Sequence, residues 1–194
     1  MIKVGLTGGI ASGKTIVAQF FQSLGTPVYF SDDRAKVLML KNPIKSQLIE
    51  CLGKEVYNET GELNKVFISN KIFKNQDLLN KINNIVHPVV QEDFSSFCLI
   101  NKDKKYIIKE SAILIELGLI KDLDKIILVT ANKEDRINRV SIRDGLNRQE
   151  IDLKISKQFE DSKKISFADF IIENNNNNFI IPQLLKIHNT ITHL

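Results

Sequence analysis

Residues 5–15 read GLTGGIASGKT, and the last eight, Gly8 to Thr15, carry the spacing Gly-x-x-x-x-Gly-Lys-Thr. The run Ile2 to Leu6 before it is apolar and rich in β-branched residues. Behind it Ile16, Val17, Phe20, Phe21 and Leu24 recur at helical spacing until Gly25 stops them. Strand, glycine turn, helix is the context that makes this spacing a phosphate cradle. Gly8, Gly9 and Gly13 let the backbone reverse tightly, so that the N–H groups along Ile10, Ala11 and Ser12 and the following helix N-terminus converge on phosphate oxygens. In that reading Lys14 reaches the outer phosphates and Thr15 sets its hydroxyl on Mg²⁺. Taken alone, the loop says that a nucleoside triphosphate is held; it does not say what becomes of the phosphate.

The remaining chain narrows the choice. With 194 residues, 43% hydrophobic and 26% charged, the chain is long enough for one domain carrying an insertion. A formal net charge of +4 favours anionic partners, though an excess that small points to no nucleic acid. Cys51 and Cys98 lie in apolar helical patterns without Cys-x-x-Cys spacing, which predicts buried thiols in a reducing cytoplasm and neither a disulfide nor a metal site. No apolar run approaches a membrane span and no cleavable leader precedes the first strand, so a cytoplasmic protein is expected.

A second strand is predicted at Val28 to Phe30, closed by Ser31, Asp32 and Asp33. From Arg34 to about Ile100 the patterns are helical: one from Pro43, one across Val66 to Phe73, and a long one from Asp77 that Pro88 is expected to divide. Strands resume at Tyr106 to Lys109 and Lys125 to Thr130, nearly continuous in hydrophobicity, as parallel strands covered on both faces are. A helix from Lys133 to Arg143, a charged helix to about Lys164, a strand at Phe170 to Glu173 and a helix from about Ile180 to Ile191 complete the chain, with the asparagine run 174–178 as a loop. The result is an α/β doubly wound sheet with a helical insert.

Asn132-Lys133-Glu134-Asp135 follows a strand, where a GTPase keeps its guanine-reading Asn-Lys-x-Asp. A switch GTPase also needs Asp-x-x-Gly, and no Asp here has Gly three residues on. Asn132 then reads as a helix cap, with Glu134 and Asp135 favouring the positive helix end. On the same helix Arg136, Arg139 and Arg143 share one side, and Arg148 follows across a turn; phosphoryl transfer needs such cations to close over the γ-phosphate. Either Asp32 or Asp33, just past the second strand, is a candidate base for a hydroxyl acceptor. Glu110 and Glu116, near the end of the third strand, are candidates for holding substrate or metal-bound water.

These residues together resemble the bacterial dephospho-coenzyme A kinases over essentially the whole chain. Thr7-Gly8-Gly9-Ile10-Ala11-Ser12-Gly13-Lys14 matches the family's loop, Thr-Gly-Gly-Ile-x-Ser-Gly-Lys. Aligning Val28 and Ala35 puts the family's catalytic aspartate on Asp32, with Phe30 in place of an earlier Asp. GELNKVFISNKIF at 61–73 is similar to the acceptor-domain signature, with Lys65 where the family has arginine, a change that keeps the charge and loses the bidentate fork. His87-Pro88 matches a His-Pro pair, and ESAILIE at 110–116 parallels Asp-x-Pro-Leu-Leu-x-Glu, with Glu110 and Ala112 replacing Asp and Pro. The lid arginines fall on Arg139, Arg143 and Arg148, while Arg136 has no counterpart. Gln158, Lys164 and ADFIIEN at 168–174 match the approach to the last strand, with Asn174 near adenine.

The resemblance implies an α/β fold of the P-loop nucleoside-triphosphate-hydrolase type: a parallel sheet flanked by helices, with an arginine-rich helical lid. The core is expected at 1–33, 101–132 and 165–194, the helical acceptor domain at 34–100 and the lid at 133–164. Expected activity is transfer of the γ-phosphate of ATP to dephospho-coenzyme A with Mg²⁺, by a monomer or weak oligomer. Asp32, Lys14, Arg139 and Arg143 would be catalytic; Gly8 to Thr15, Arg148 and Asn174 would bind ATP; Asp32, Lys65, His87 and Glu110 would bind the acceptor; Thr15 would hold the metal.

Overall fold

A computed structural model describes residues 1–72, 75–176 and 178–194. The apolar N-terminal run forms β1 (Ile2–Gly8), and the glycine-rich turn delivers the chain into α1 (Lys14–Ser23) and then β2 (Val28–Phe30). After the insert the chain forms β3 (Tyr106–Glu110), β4 (Lys125–Thr130), α6 (Lys133–Asp144), α7 (Arg148–Ile155), α8 (Asp161–Ile165), β5 (Phe170–Glu173) and α9 (Ile180–Thr192). The strand order is β2-β3-β1-β4-β5. β1 pairs parallel with β3, Leu6 opposite Glu110, and with β4, Gly8 opposite Val129; β4 pairs parallel with β5. The chain thus leaves β1 toward one side for β2 and β3 and toward the other for β4 and β5. The switch in direction lies at the carboxyl end of β1, where an open parallel sheet forms its ligand crevice.

Helices cover both faces, so the strands carry unbroken hydrophobic runs. Val4, Leu6, Ile107, Ile108, Ile127 and Leu128 have no exposed surface, nor does Phe21 of α1, which packs edge-on against Phe20 and Tyr106. Gly5 is squeezed from the other direction. A Cβ there would come within 2.8 Å of methyl groups of Ile126 and Leu123, so the middle of β1 accommodates no side chain without repacking.

Two compact units result: Met1–Tyr29 with Asn101–Leu194, and Phe30–Ile100. The second contains α2 (Ser31–Met39), α3 (Ile44–Leu52), a 3-10 turn (Lys54–Val56), α4 (Lys65–Ile72) and α5 (Gln76–Ile100). Its helices are joined by Ile44, Leu48, Val56, Ile82, Val86 and Phe94, all buried. Arg34 of α2 also makes a bidentate ion pair with Asp93 of α5 at 2.8 and 2.6 Å. Phe73, the end of the predicted 66–73 helix, lies outside the described residues.

Three expectations are corrected. Cys51 and Cys98 carry thiols outside any disulfide, but each is half-buried, because α3 and α5 turn other residues to their buried sides. Pro88 does not divide α5, which continues from Gln76 to Ile100. The N–H it lacks would have bonded to the carbonyl of Asn84, and both residues are exposed, so the missing bond falls on the solvent side while Ile82, Val86, Val90 and Phe94 hold the buried side continuous. The charged segment to Lys164 is two helices, α7 and α8. Residues 156–160 break the spiral because Gln158 and Phe159 are engaged elsewhere: Phe159 N–H donates to Glu116 Oε1 at 3.2 Å, and Lys164 Nζ lies 2.7 Å from the same oxygen. Lys164 is fully buried, so this ion pair is a charge contact shielded from water that joins α8 to the segment after β3. No helix among the described residues is long and apolar enough to cross a membrane.

Removing one member of that pair strands the other. Lys164→Met is therefore expected to lower unfolding free energy by about 3–5 kcal/mol, read as a shifted urea midpoint. The double change Lys164→Met with Glu116→Leu should recover most of the loss.

Candidate active site

The loop after β1 turns through two left-handed residues. Gly13, the N-cap of α1, has φ 103°, and Ala11 has φ 56°, a conformation L-residues with a Cβ adopt at a cost of about 1–2 kcal/mol. Gly13 has a second constraint: a Cβ there would collide with Asn174 Nδ2. The resulting loop wraps the Lys14 amine, which is buried and donates to Gly8 O at 2.9 Å and Gly9 O at 3.2 Å. Within the same loop the hydroxyl of Ser12 is buried without a hydrogen-bond partner among the described residues. The first turn of α1 has no acidic side chain to neutralise its N-terminal partial charge. A cation, a helix N-terminus and an orphaned hydroxyl around one turn fit a polyphosphate. Thr15, the second residue of α1, is exposed, as a metal-facing hydroxyl would be. Among the described residues no cluster of His, Cys, Asp and Glu could hold a metal by itself.

The arginine helix α6 packs directly on this loop. Ile137 and Val140 of α6 and Ile151 of α7 form a small buried core, against which Ile10 and Ala11 of the loop pack. Arg139 donates from Nη1 to Ala11 O at 3.3 Å and from Nη2 to Asn174 O at 2.8 Å. Asn174 closes the ring by donating from Nδ2 to Ser12 O at 2.8 Å. Beyond Arg139 a cavity of about 560 Å³ opens, lined by Asn174, Asn176, Phe179, Ile181 and Pro182. Its size suits a nucleoside, and it lies beside the loop.

The other predicted residues are distributed as follows. Glu110 ends β3 beside Leu6 of β1 and is buried, so its carboxylate belongs to the carboxyl edge of the sheet next to the loop. Glu116 is committed to Lys164 and Phe159, a structural rather than an open carboxylate. Arg143 pairs with its neighbour Asp144 at 2.8 and 2.9 Å, and that pairing raises its guanidinium pKa. Arg148 pairs with Glu134, holding that carboxyl below its ordinary range. Arg143 and Arg148 thus turn toward carboxylates of their own segment, whereas Arg139 turns toward the carbonyl of Ala11. In the helical unit, Asp32 lies in the first turn of α2, two residues past β2; Lys65 opens α4 and is exposed; His87 is half-buried in α5.

The Asn-Lys-Glu-Asp stretch is fully employed in structure. Asn132 occupies the N-cap of α6 without a side-chain cap bond, so its expected capping role falls to the backbone; its N–H donates to Asn175 Oδ1 at 2.9 Å. Lys133 pairs with Asp152 at 2.7 Å, and Asp135 accepts from Asn176 at 2.6 Å. The asparagine loop is thus tied to the start of α6, and Asp135 is not directed at a base.

Two side chains that sequence reasoning did not assign to the loop are bound to it. Gln158 accepts from Ile10 N–H at 2.7 Å and donates to Ala112 O at 3.4 Å. Arg136, 7% exposed, donates from Nε to Ile10 O at 2.9 Å, and Asp161 lies 3.7 Å from its Nη1. Burial pushes the Arg136 guanidinium pKa down from its ordinary value, with Asp161 acting in the opposite direction; an arginine stays charged through such a shift. The available signal was position: Arg136 precedes the buried Val140 by one turn and so belongs to the packed side of α6.

The fold and site can be set beside known proteins. Residues 2–179 match the family model described as dephospho-CoA kinase. The dephospho-CoA kinase of Bacteroides fragilis strain YCH46 is 36% identical over 187 residues, covering 96% of this chain and 91% of the relative. That of Fusobacterium nucleatum subsp. nucleatum is 34% identical over 174 residues, 90% of each. Among solved structures, TT1252 from Thermus thermophilus superposes with TM-score 0.84 at 26% identity, covering 99% of this chain and 96% of that one. Dephospho-CoA kinase from Campylobacter jejuni superposes with TM-score 0.72 at 21% identity, covering 98% and 97%, a likeness of fold.

Gly13→Ala forces a Cβ into Asn174 at a left-handed φ and is expected to weaken ATP binding by more than about tenfold. Isothermal titration checks this, with a melting curve to show that the fold is retained.

Proposed function

The chain belongs to the dephospho-CoA kinase family, and on that premise we propose that it transfers the γ-phosphate of ATP to the ribose 3′-hydroxyl of dephospho-coenzyme A, the last step of coenzyme A synthesis. The observation that carries the reading is the buried Lys14 amine at the centre of a loop that also meets, through Asn174 and Arg139, a nucleoside-sized cavity. A triphosphate donor is what such a pair of adjoining sites accepts. ATP as phosphate donor follows from the family.

In the proposed roles Lys14 and the amides from Gly8 to Gly13 hold the β- and γ-phosphates in line for displacement. Thr15 provides a protein ligand for Mg²⁺, which when bound neutralises charge between the β- and γ-oxygens. Asp32 accepts the proton of the attacking hydroxyl. Its support is connectivity: it follows β2 directly, and carboxyl ends of strands are where an open α/β sheet presents catalytic groups. Arg139 stabilises charge developing on the transferred group, and Arg143 and Arg148 join it when residues 133–164 act as a lid that excludes water. Glu110 at the end of β3, with Lys65 and His87 in the helical unit spanning roughly 34–100, orients the acceptor. Asn174 holds the adenosine side of the donor. A small-molecule acceptor of this kind calls for no nucleic-acid surface and no membrane.

The reading is checked by incubating the protein with ATP or GTP and a panel of hydroxyl acceptors that includes dephospho-coenzyme A, and identifying products by mass. Phosphorylation of another acceptor, with none of dephospho-coenzyme A, overturns it. Asp32→Asn is expected to leave ATP affinity within about twofold and to cut turnover by roughly a hundredfold or more; unchanged turnover removes Asp32 from the base role.

A further inference from the structure

We infer that Arg136 is a positioning residue for the phosphate loop, and that Gly9 has no side chain because the Arg136 guanidinium occupies the space where one would lie. Gly9 is not in a left-handed conformation, so its backbone makes no demand for glycine. The demand comes from contact: a Cβ on Gly9 would be 2.5 Å from Arg136 Cζ and 2.7 Å from Nη1, so the guanidinium would have to move, and its bond to Ile10 O and its burial beside Asp161 resist that movement. The same side chain donates to the carbonyl of Ile10 at 2.9 Å, while Gln158 accepts from the amide of Ile10 at 2.7 Å. Both polar groups of Ile10 are therefore held by side chains from the segment 133–164. The next residue, Ala11, is the one with a Cβ at positive φ, and its carbonyl accepts from Arg139.

A loop that must aim several amides at one anion loses affinity if its peptides rotate. Arg136 suits the task because its planar fork reaches two places at once. Nε fixes the Ile10 carbonyl while the terminal nitrogens cover Gly9 and approach Asp161, the first residue of α8. Lysine has one nitrogen and no plane, so it can supply charge without covering Gly9. The sequence pair Gly9 and Arg136 is thus one structural device split across 127 positions, and the setting of α6 and α8 is transmitted to the donor site through it.

The inference rests on this loop being the ATP site, and the test separates the two ideas. ATP affinity by titration, and KM for ATP and for dephospho-coenzyme A, are measured for wild type, Gly9→Ala, Arg136→Ala and the double variant. Arg136→Ala should weaken ATP binding by about tenfold, as loss of a charge-assisted bond to a part-buried carbonyl does, with KM for the acceptor within about twofold. Gly9→Ala alone should weaken ATP binding comparably. Added to Arg136→Ala it should cost less than about twofold more, because the clash has gone. Arg136→Lys, which keeps charge and most of the packing, provides the same background should Arg136→Ala fail to fold, and there too Gly9→Ala should be tolerated. If the two substitutions multiply in either background, or if both KM values rise together, Arg136 is a general packing residue and the inference falls. Should the wild-type protein fail to bind ATP, the donor-site reading falls and this one with it.

Discussion

The reversal of the chain between β1 and α1 is the constraint around which everything else is arranged. Within the loop the Ser12 amide donates to Gly9 O at 3.1 Å and the Lys14 amine to Gly8 O and Gly9 O. Backbone entropy opposes the turn by about 1–2 kcal/mol per residue. Side chains from distant segments add to these internal bonds. Arg136 and Gln158 grip Ile10, Arg139 grips Ala11, Asn174 grips Ser12, and the apolar sides of Ile10 and Ala11 sink into the core made by Ile137, Val140 and Ile151.

This arrangement explains several residues that local rules leave unexplained. Gly13 is small both for its φ and for Asn174; Gly9 is small only for Arg136. The asparagine run is not a spacer. The Asn174 side chain donates to the phosphate loop, that of Asn175 accepts from the start of α6, and that of Asn176 donates to Asp135 and accepts from Arg139. The buried Lys164–Glu116 pair has a related place: with the Phe159 amide it fixes the turn between α7 and α8 and so the height at which Gln158 meets Ile10.

The stretches proposed for the donor, around residues 8–15, 132–161 and 174–176, all lie within the sheet-containing unit. The residues proposed for the acceptor, Lys65 and His87, and the proposed base Asp32 belong to the helical unit, whose own cohesion comes from the Arg34–Asp93 fork and the buried stripe of α5.

The sequence by itself determined the strand–loop–helix start, the parallel sheet and the helical insert, because glycine spacing and hydrophobic period are local signals that survive without knowledge of neighbours. It also pointed to a phosphate cradle from Gly8 to Thr15 and to Arg139 and Arg143 together as cations beside it. Local signals failed where a neighbour distant in sequence decided the outcome. Pro88 stayed inside α5 because one side of that helix is buried, and the segment before Lys164 broke into two helices because Glu116 captured its backbone. Spacing put Arg136, Arg139 and Arg143 on one helix side as equals. Only the tertiary structure distinguished them, burying Arg136 on the loop, linking Arg139 to loop and cavity, and leaving Arg143 with Asp144, because what an arginine does depends on which carbonyl or carboxylate packing brings to it.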